Sequence, residues 1–231
     1  MTAHAILVIT DGSVCADGPV LTALQLQVVC ETLELNPLIT PVPDSGPESD
    51  KIYLQWNMLR ESSLVHRSCD PIQVSWSSGR DEPATFPRMD VLNIVSEHYP
   101  WLVKVKAQNP EVGVSCGEVI EAIAQNMGKY ASKVDYQALP ANLRDTVSRA
   151  YNYNRSRRPD VPGGKMGVGL KRADFLGQMT TFGGLEADPD KVRMVCGARI
   201  PGYVVLRRDK REFMAQEEVG TASSRGNGEP E

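Results

Sequence analysis

Lysine and arginine are missing from the first 50 residues of this 231-residue chain, although seven acidic residues fall there. Long apolar runs are missing throughout. The longest clean one, residues 5–9, falls far short of the roughly 20 residues that a membrane-spanning helix needs. No Lys or Arg precedes it and no helix-length apolar core follows, so the pattern of a secretory signal is not met. A soluble, cytoplasmic protein without a membrane partner is expected. Paired cysteines are missing too. Cys15, Cys30, Cys69, Cys116 and Cys196 are an odd five, widely spaced and without a C-x-x-C motif, whereas disulfide scaffolds and structural zinc sites need the opposite pattern. The three histidines, His4, His66 and His98, form no H-x-x-x-H pair. No metal is expected, and the cysteines read as free thiols in a reducing compartment.

What is present is an ordinary globular composition, 41% hydrophobic and 23% charged, which excludes a wholly disordered, collagen-like or coiled-coil chain. The net charge of -4 hides a segregation. Residues 144–172 carry Arg144, Arg149, Arg155, Arg157, Arg158, Lys165, Lys171 and Arg172 against only Asp145 and Asp160. Such segregation marks either a surface for an anionic ligand or an internal pairing of acidic and basic parts.

Along the chain, residues 5–9 read as a short strand, and residues 20–29 fit helix and strand equally badly. Pro41, Pro43 and Pro47, with Asp44, Ser45 and Gly46, form a linker. Strands are expected at Ile52, Leu54 and Trp56, at Ile72, Val74 and Trp76, and at Leu102, Val103 and Val105. Ser115 with Glu118 makes a capping box, opening a helix whose apolar face is Val119, Ile120, Ile123, Ala124 and Met127 and which ends near Gly128. A second helix starts at Pro140, buries Leu143, Val147 and Tyr151, exposes Arg144 and Arg149, and stops by Arg158 before Pro159, Pro162, Gly163 and Gly164. Residues 168–176, the alternation of Val192, Met194 and Cys196, and residues 203–206 read as further strands, with Asp188-Pro189-Asp190 as a turn. The pattern predicts an α+β fold, a mostly antiparallel sheet packed against two central helices in a single domain. Its expected limits are residues 33–208, between an acidic segment (1–32) and a polar, disordered tail (209–231).

Several stretches together resemble a known family. They are Leu35-Asn36-Pro37-Leu38-Ile39, Leu54-Gln55-Trp56-Asn57, Tyr99-Pro100-Trp101-Leu102-Val103-Lys104-Val105 and Val114-Ser115-Cys116-Gly117-Glu118-Val119-Ile120. Gly169-Leu170-Lys171-Arg172-Ala173-Asp174-Phe175-Leu176 and Phe182-Gly183-Gly184-Leu185 complete the set. Their order resembles a domain family of unknown function abundant in mushroom-forming fungi, over roughly residues 33–208. The chain departs from that pattern with Asn57 for an Asp, Tyr99 for a Leu and Glu118 for a frequent Asp. The resemblance implies a boundary and a fold, and no activity.

Chemistry candidates are few. The glycine-rich stretch Gly163-Gly164-Lys165-Met166-Gly167 has Met166 where a phosphate-binding loop needs Ser or Thr. Ser75 lacks the G-x-S-x-G elbow. Neither nucleotide nor other cofactor is expected. Cys116, in the first turn of a capped helix, is a candidate thiolate. His98, between Glu97 and Tyr99, is a candidate general base, in a cleft with Tyr99, Trp101 and Arg172. The third candidate is the run where Tyr151 and Tyr153 alternate with cations, with Arg155, Arg157, Arg158 and Lys165 as anion- or partner-binding residues. A pI near 5.5 favours a negatively charged protein or small molecule over nucleic acid. A non-catalytic binding module is therefore the leading expectation. A cofactor-independent enzyme of fungal secondary metabolism is the alternative.

Overall fold

The structure, a computed structural model, describes residues 18–29, 32–41, 51–97, 99–156 and 166–210. Helix α1 (Ala23–Val29) leads into four two-residue strands, β1 (Glu34–Leu35), β2 (Leu54–Gln55), β3 (His66–Arg67) and β4 (Thr85–Phe86). These pair antiparallel, β1 with β4 and β2 with β3. Strands β5 (Val91–Ser96) and β6 (Tyr99–Lys106) follow, then helices α2 (Cys116–Gly128), α3 (Lys133–Gln137) and α4 (Ala141–Asn154). A 3-10 turn (Arg172–Leu176), β7 (Thr181–Glu186), α5 (Pro189–Cys196) and β8 (Tyr203–Asp209) complete an α+β fold.

The main sheet has four strands in the order β6-β5-β8-β7. Its β5–β6 and β7–β8 pairs are antiparallel, while β5 and β8 run parallel, so the last strand is threaded between two earlier ones. Period-two alternation places Tyr99, Val103 and Val105 of β6 inside with Leu92 and Ile94 of β5. Against them α2 lays Val119, Ile120, Ile123 and Met127, all buried, the face expected from their spacing. Helix α4 packs chiefly on the 3-10 turn, burying Val147 and Ala150. Gly184 shows why one motif is glycine-rich. A Cβ there would lie 2.5 Å from the backbone nitrogen of Pro41, a separation only glycine allows.

Four readings of the sequence are corrected. Ile72 and Val74 are exposed in a turn, and only Trp76 of that trio is buried, its indole N–H donating to Ser78 O at 2.6 Å. Residues 168–176 form a loop and the 3-10 turn rather than a strand. The alternation of Val192, Met194 and Cys196 belongs to helix α5, for which Asp188 is the N-cap, accepting from Asp190 N–H, and Pro189 the first residue. The strand expected at Leu102, Val103 and Val105 forms as β6, with Leu102 facing outward. The ambiguous residues 20–29 contribute α1, and Leu21 bonds the main chain at Arg88 and Asp90 (2.7 and 3.0 Å). Residues 5–9 and 211–231 lie outside the described residues.

Candidate functional site

Three places gather the polar side chains that the sequence singled out. The first is the N-terminus of α2. Ser115 Oγ accepts from Glu118 N–H at 3.2 Å, and Glu118 returns a carboxylate oxygen to Ser115 N–H at 2.8 Å. The next donors are also spent: Cys116 N–H on Glu82 O (2.9 Å) and Gly117 N–H on Arg80 O (2.7 Å). The adjoining groove, about 390 Å³ and open to solvent, is lined by Arg80, Asp81, Gln108, Ser115, Glu118 and Glu121 among others. With its helix donors used and three acids in its wall, it is a poor anion site. Cys116 is fully buried there, and burial, reinforced by Glu82, pushes its thiol far above the ordinary range. The helix dipole does not make it a thiolate, because desolvation penalises the charged form more strongly.

The second place is the inner face of β6. Tyr99 OH donates to Asn126 Oδ1 at 2.7 Å, and Arg172 Nη1 donates to the same oxygen at 3.2 Å. The Arg172 guanidinium lies over the Trp101 ring, 4.8 Å from its centroid, and Trp101 meets Tyr99 and Phe175 edge-on. The structure thus brings Tyr99, Trp101 and Arg172 together as expected, while His98 lies outside the described residues. Burial pushes the Tyr99 phenol up, against the opposing pull of Arg172 and Arg208. A protonated phenol, a guanidinium and a carboxamide provide donors and a neutral acceptor. None of the three takes a proton near neutral pH.

The third place is the C-terminal end of α4. Asp174, whose side chain is 0% exposed against 12% for Arg155, accepts from Arg155 Nη1 (2.9 Å), Arg155 Nη2 (3.0 Å), Asn154 Nδ2 (3.0 Å) and Lys171 N–H (2.8 Å). Arg155 also donates to Tyr151 O and Gly169 O, and covers the Tyr151 ring at 3.7 Å. A bidentate pair with its remaining lone pairs filled is the arrangement that makes a buried ion pair tolerable. Its effect is to hold the 3-10 turn against α4. Met166 N–H donates to Asn154 O at 2.9 Å, so the end of α4 and residue 166 meet as a closed stem. Arg155 is therefore spent inside the protein. Arg157, Arg158 and Lys165 lie outside the described residues. Asp174 and Asn126, which hold the two arginines, escaped the sequence reading; the only hint at Asp174 was an acid within a basic stretch.

Among the described residues, no group of three or more His, Cys, Asp or Glu side chains could hold a metal ion, and no helix is long and apolar enough to cross a membrane. Residues 54–192, more than half of the chain, match the model of a family described as "Family of unknown function (DUF6699)". The chain belongs to that family. The DUF6699 match runs from β2 into α5 and so contains α2, the Tyr99–Trp101–Arg172 cluster and the Arg155–Asp174 pair. No curated protein and no solved structure matches the chain.

Proposed function

We propose that this protein is a cytoplasmic, non-catalytic interaction module, of the fungal kind its sequence motifs imply, that takes a negatively charged partner at residues 157–165. One observation carries the reading: the closed stem formed by Asn154–Met166 and clamped by Arg155–Asp174. The residues that follow Ser156 and precede Met166 in sequence hold Arg157, Arg158 and Lys165 against a single acid, Asp160. Arg155 serves the stem, and the other three serve the partner. The spent donors around α2 and the lack of a proton acceptor among Tyr99, Asn126 and Arg172 support binding over chemistry.

The test uses a fluorescent all-glutamate peptide, polarisation at low and high salt, and the variant Arg157→Gln/Arg158→Gln/Lys165→Gln. At roughly 0.5 kcal/mol for each exposed charge contact, the variant loses about tenfold in affinity. Its thermal midpoint stays that of the wild type, and salt weakens binding. Binding indifferent to both salt and the substitutions would refute this reading. It would favour a cofactor-independent enzyme of fungal secondary metabolism, whose support is the convergence of Tyr99, Trp101 and Arg172 and a buried Arg172 Nε without a hydrogen-bond partner.

A further inference from the structure

The two outer edges of the main sheet differ. At β7 the edge is met by residues 56–58: Met58 N–H donates to Thr180 O at 2.8 Å, Phe182 N–H donates to Trp56 O at 2.9 Å, and Asn57 is bridged to Thr181. At the opposite end, β6 pairs only with β5 among the described strands. Its unpaired side follows from its neighbours. Asn93 of β5 donates its N–H toward the β8 side, to Gly202 O at 2.9 Å. Main-chain groups alternate sides along a strand, so Leu92 and Ile94 turn theirs to β6, where Val105 and Val103 stand opposite. Leu102, Lys104 and Lys106 therefore direct their N–H and C=O groups away from the sheet. The Leu102 carbonyl accepts from Asn126 Nδ2 at 3.4 Å. Pro100, which has no N–H, precedes this stretch, and proline within sheets is confined to such edges and to irregular points. Side chains alternate too. Val103 and Val105 are buried, while Leu102, 42% exposed, shares the opposite face with the exposed Lys104 and Lys106. Across the strand from the lysines stand Asn93 and Val91, both neutral, and neither lysine forms an ion pair among the described residues.

We infer that residues 102–106 of β6 are a docking edge for an extended acidic segment of a partner protein, which joins the main sheet as a fifth strand. Its carboxylates stand at alternate positions opposite Lys104 and Lys106, and an apolar residue stands opposite Leu102. Two features select this occupant. A row of unpaired N–H and C=O groups is a template for another polypeptide main chain, and a phosphate backbone offers no donors to match it. The lysines then select among polypeptides. A second copy pairing antiparallel over residues 102–106 would set Lys104 against Lys104, and like charges directly opposite destabilise a strand pair, whereas opposite charges stabilise it. The edge thus refuses its own kind and admits an acidic strand. The inference uses none of residues 157–165 and is independent of the reading of that segment.

The experiment follows, by polarisation on the full chain, a fluorescent peptide with glutamates at two alternate positions, threonines beside them and a valine at each end. Lys104→Glu/Lys106→Glu weakens its binding about thirtyfold, because two attractions become repulsions. The same variant takes up the matching peptide with lysines in place of the glutamates, an exchange of preference that an unfolded variant would not show. Methylating alternate amide nitrogens of the glutamate peptide abolishes binding in one phase and leaves it in the other, since a strand turns every second N–H to one edge. Arg157→Gln/Arg158→Gln/Lys165→Gln leaves the affinity unchanged. If that loop variant weakens the peptide and the Lys104→Glu/Lys106→Glu variant does not, the edge falls while the reading of residues 157–165 stands. Four other results overturn the edge: no binding of the glutamate peptide by the wild type, equal binding in both methylation phases, displacement of the peptide by an oligonucleotide, or a wild-type dimer that the peptide disperses. The last would give the edge to a second copy of the chain.

Discussion

Cys69 and Cys116 show how much surroundings decide at the scale of one residue. Cys69 is exposed, and Cys116 is buried against the Pro83 carbonyl (Sγ to O 3.8 Å) with its thiol pushed up by desolvation. Native protein treated with iodoacetamide at neutral pH should carry the label on Cys69 and none on Cys116, as peptide mass mapping would read. Labelling of Cys116 at the same rate would show that the loop at Glu82–Pro83 opens readily. The linkage has a definite sign. A thiol whose folded pKa is raised stays protonated in the native state while the unfolded thiol ionises near pH 8.5. The contribution to stability is thus complete below that pH and declines above it. Tyr99, also raised by burial, acts in the same direction at higher pH.

Helix ends are the best-written elements of this chain. The box at Ser115 forms as its sequence predicts, and Ser115→Ala should lower stability by about 1 kcal/mol, seen as a lower urea midpoint with an unchanged m-value. An unaltered midpoint would mean that the carbonyls of Arg80 and Glu82 suffice to hold α2. Helix interiors were legible only where a wide face is buried. In α2 the buried Val119, Ile120, Ile123 and Met127 spell the period. In α5 only Val192 is buried and Met194 faces solvent, so the eye finds a false alternation, even though Asp188, Pro189 and a left-handed Gly197 mark both ends. Strand β5 went unseen because Asn93 interrupts its apolar run, and β7 because Gly183 and Gly184 look like a turn; Gly184 in fact admits residues 40–41. Trp76 buries its ring from an irregular stretch between two turns, a tertiary decision that period-two counting does not register.

On the scale of the whole molecule, residues 18–29 bear on where the domain starts. Leu26 is buried and Leu21 is bonded to Arg88 and Asp90, so a chain beginning at Leu33 is expected to fold cooperatively but about 2 kcal/mol less stably, roughly the burial of one leucine. Matched urea titrations of the two chains would check this; equal midpoints would make α1 dispensable, and loss of the cooperative transition would make it essential. The candidate site was legible in part for a related reason. Cations and aromatics are visible in a sequence, whereas their long-range partners are not: Asn126 is 46 residues from Arg172 and Asp174 is 19 from Arg155. The sheet order has a consequence for biosynthesis. Because β8 lies between β5 and β7, a nascent chain leaving the ribosome can close the β5–β6 hairpin early, but β7 has no neighbour in the main sheet until Tyr203–Asp209 have been made. A messenger cut short before that point would yield a product with the β5 edge bare, an edge that invites pairing with other chains, so quality control should meet it as an aggregation hazard rather than as a shortened but working protein.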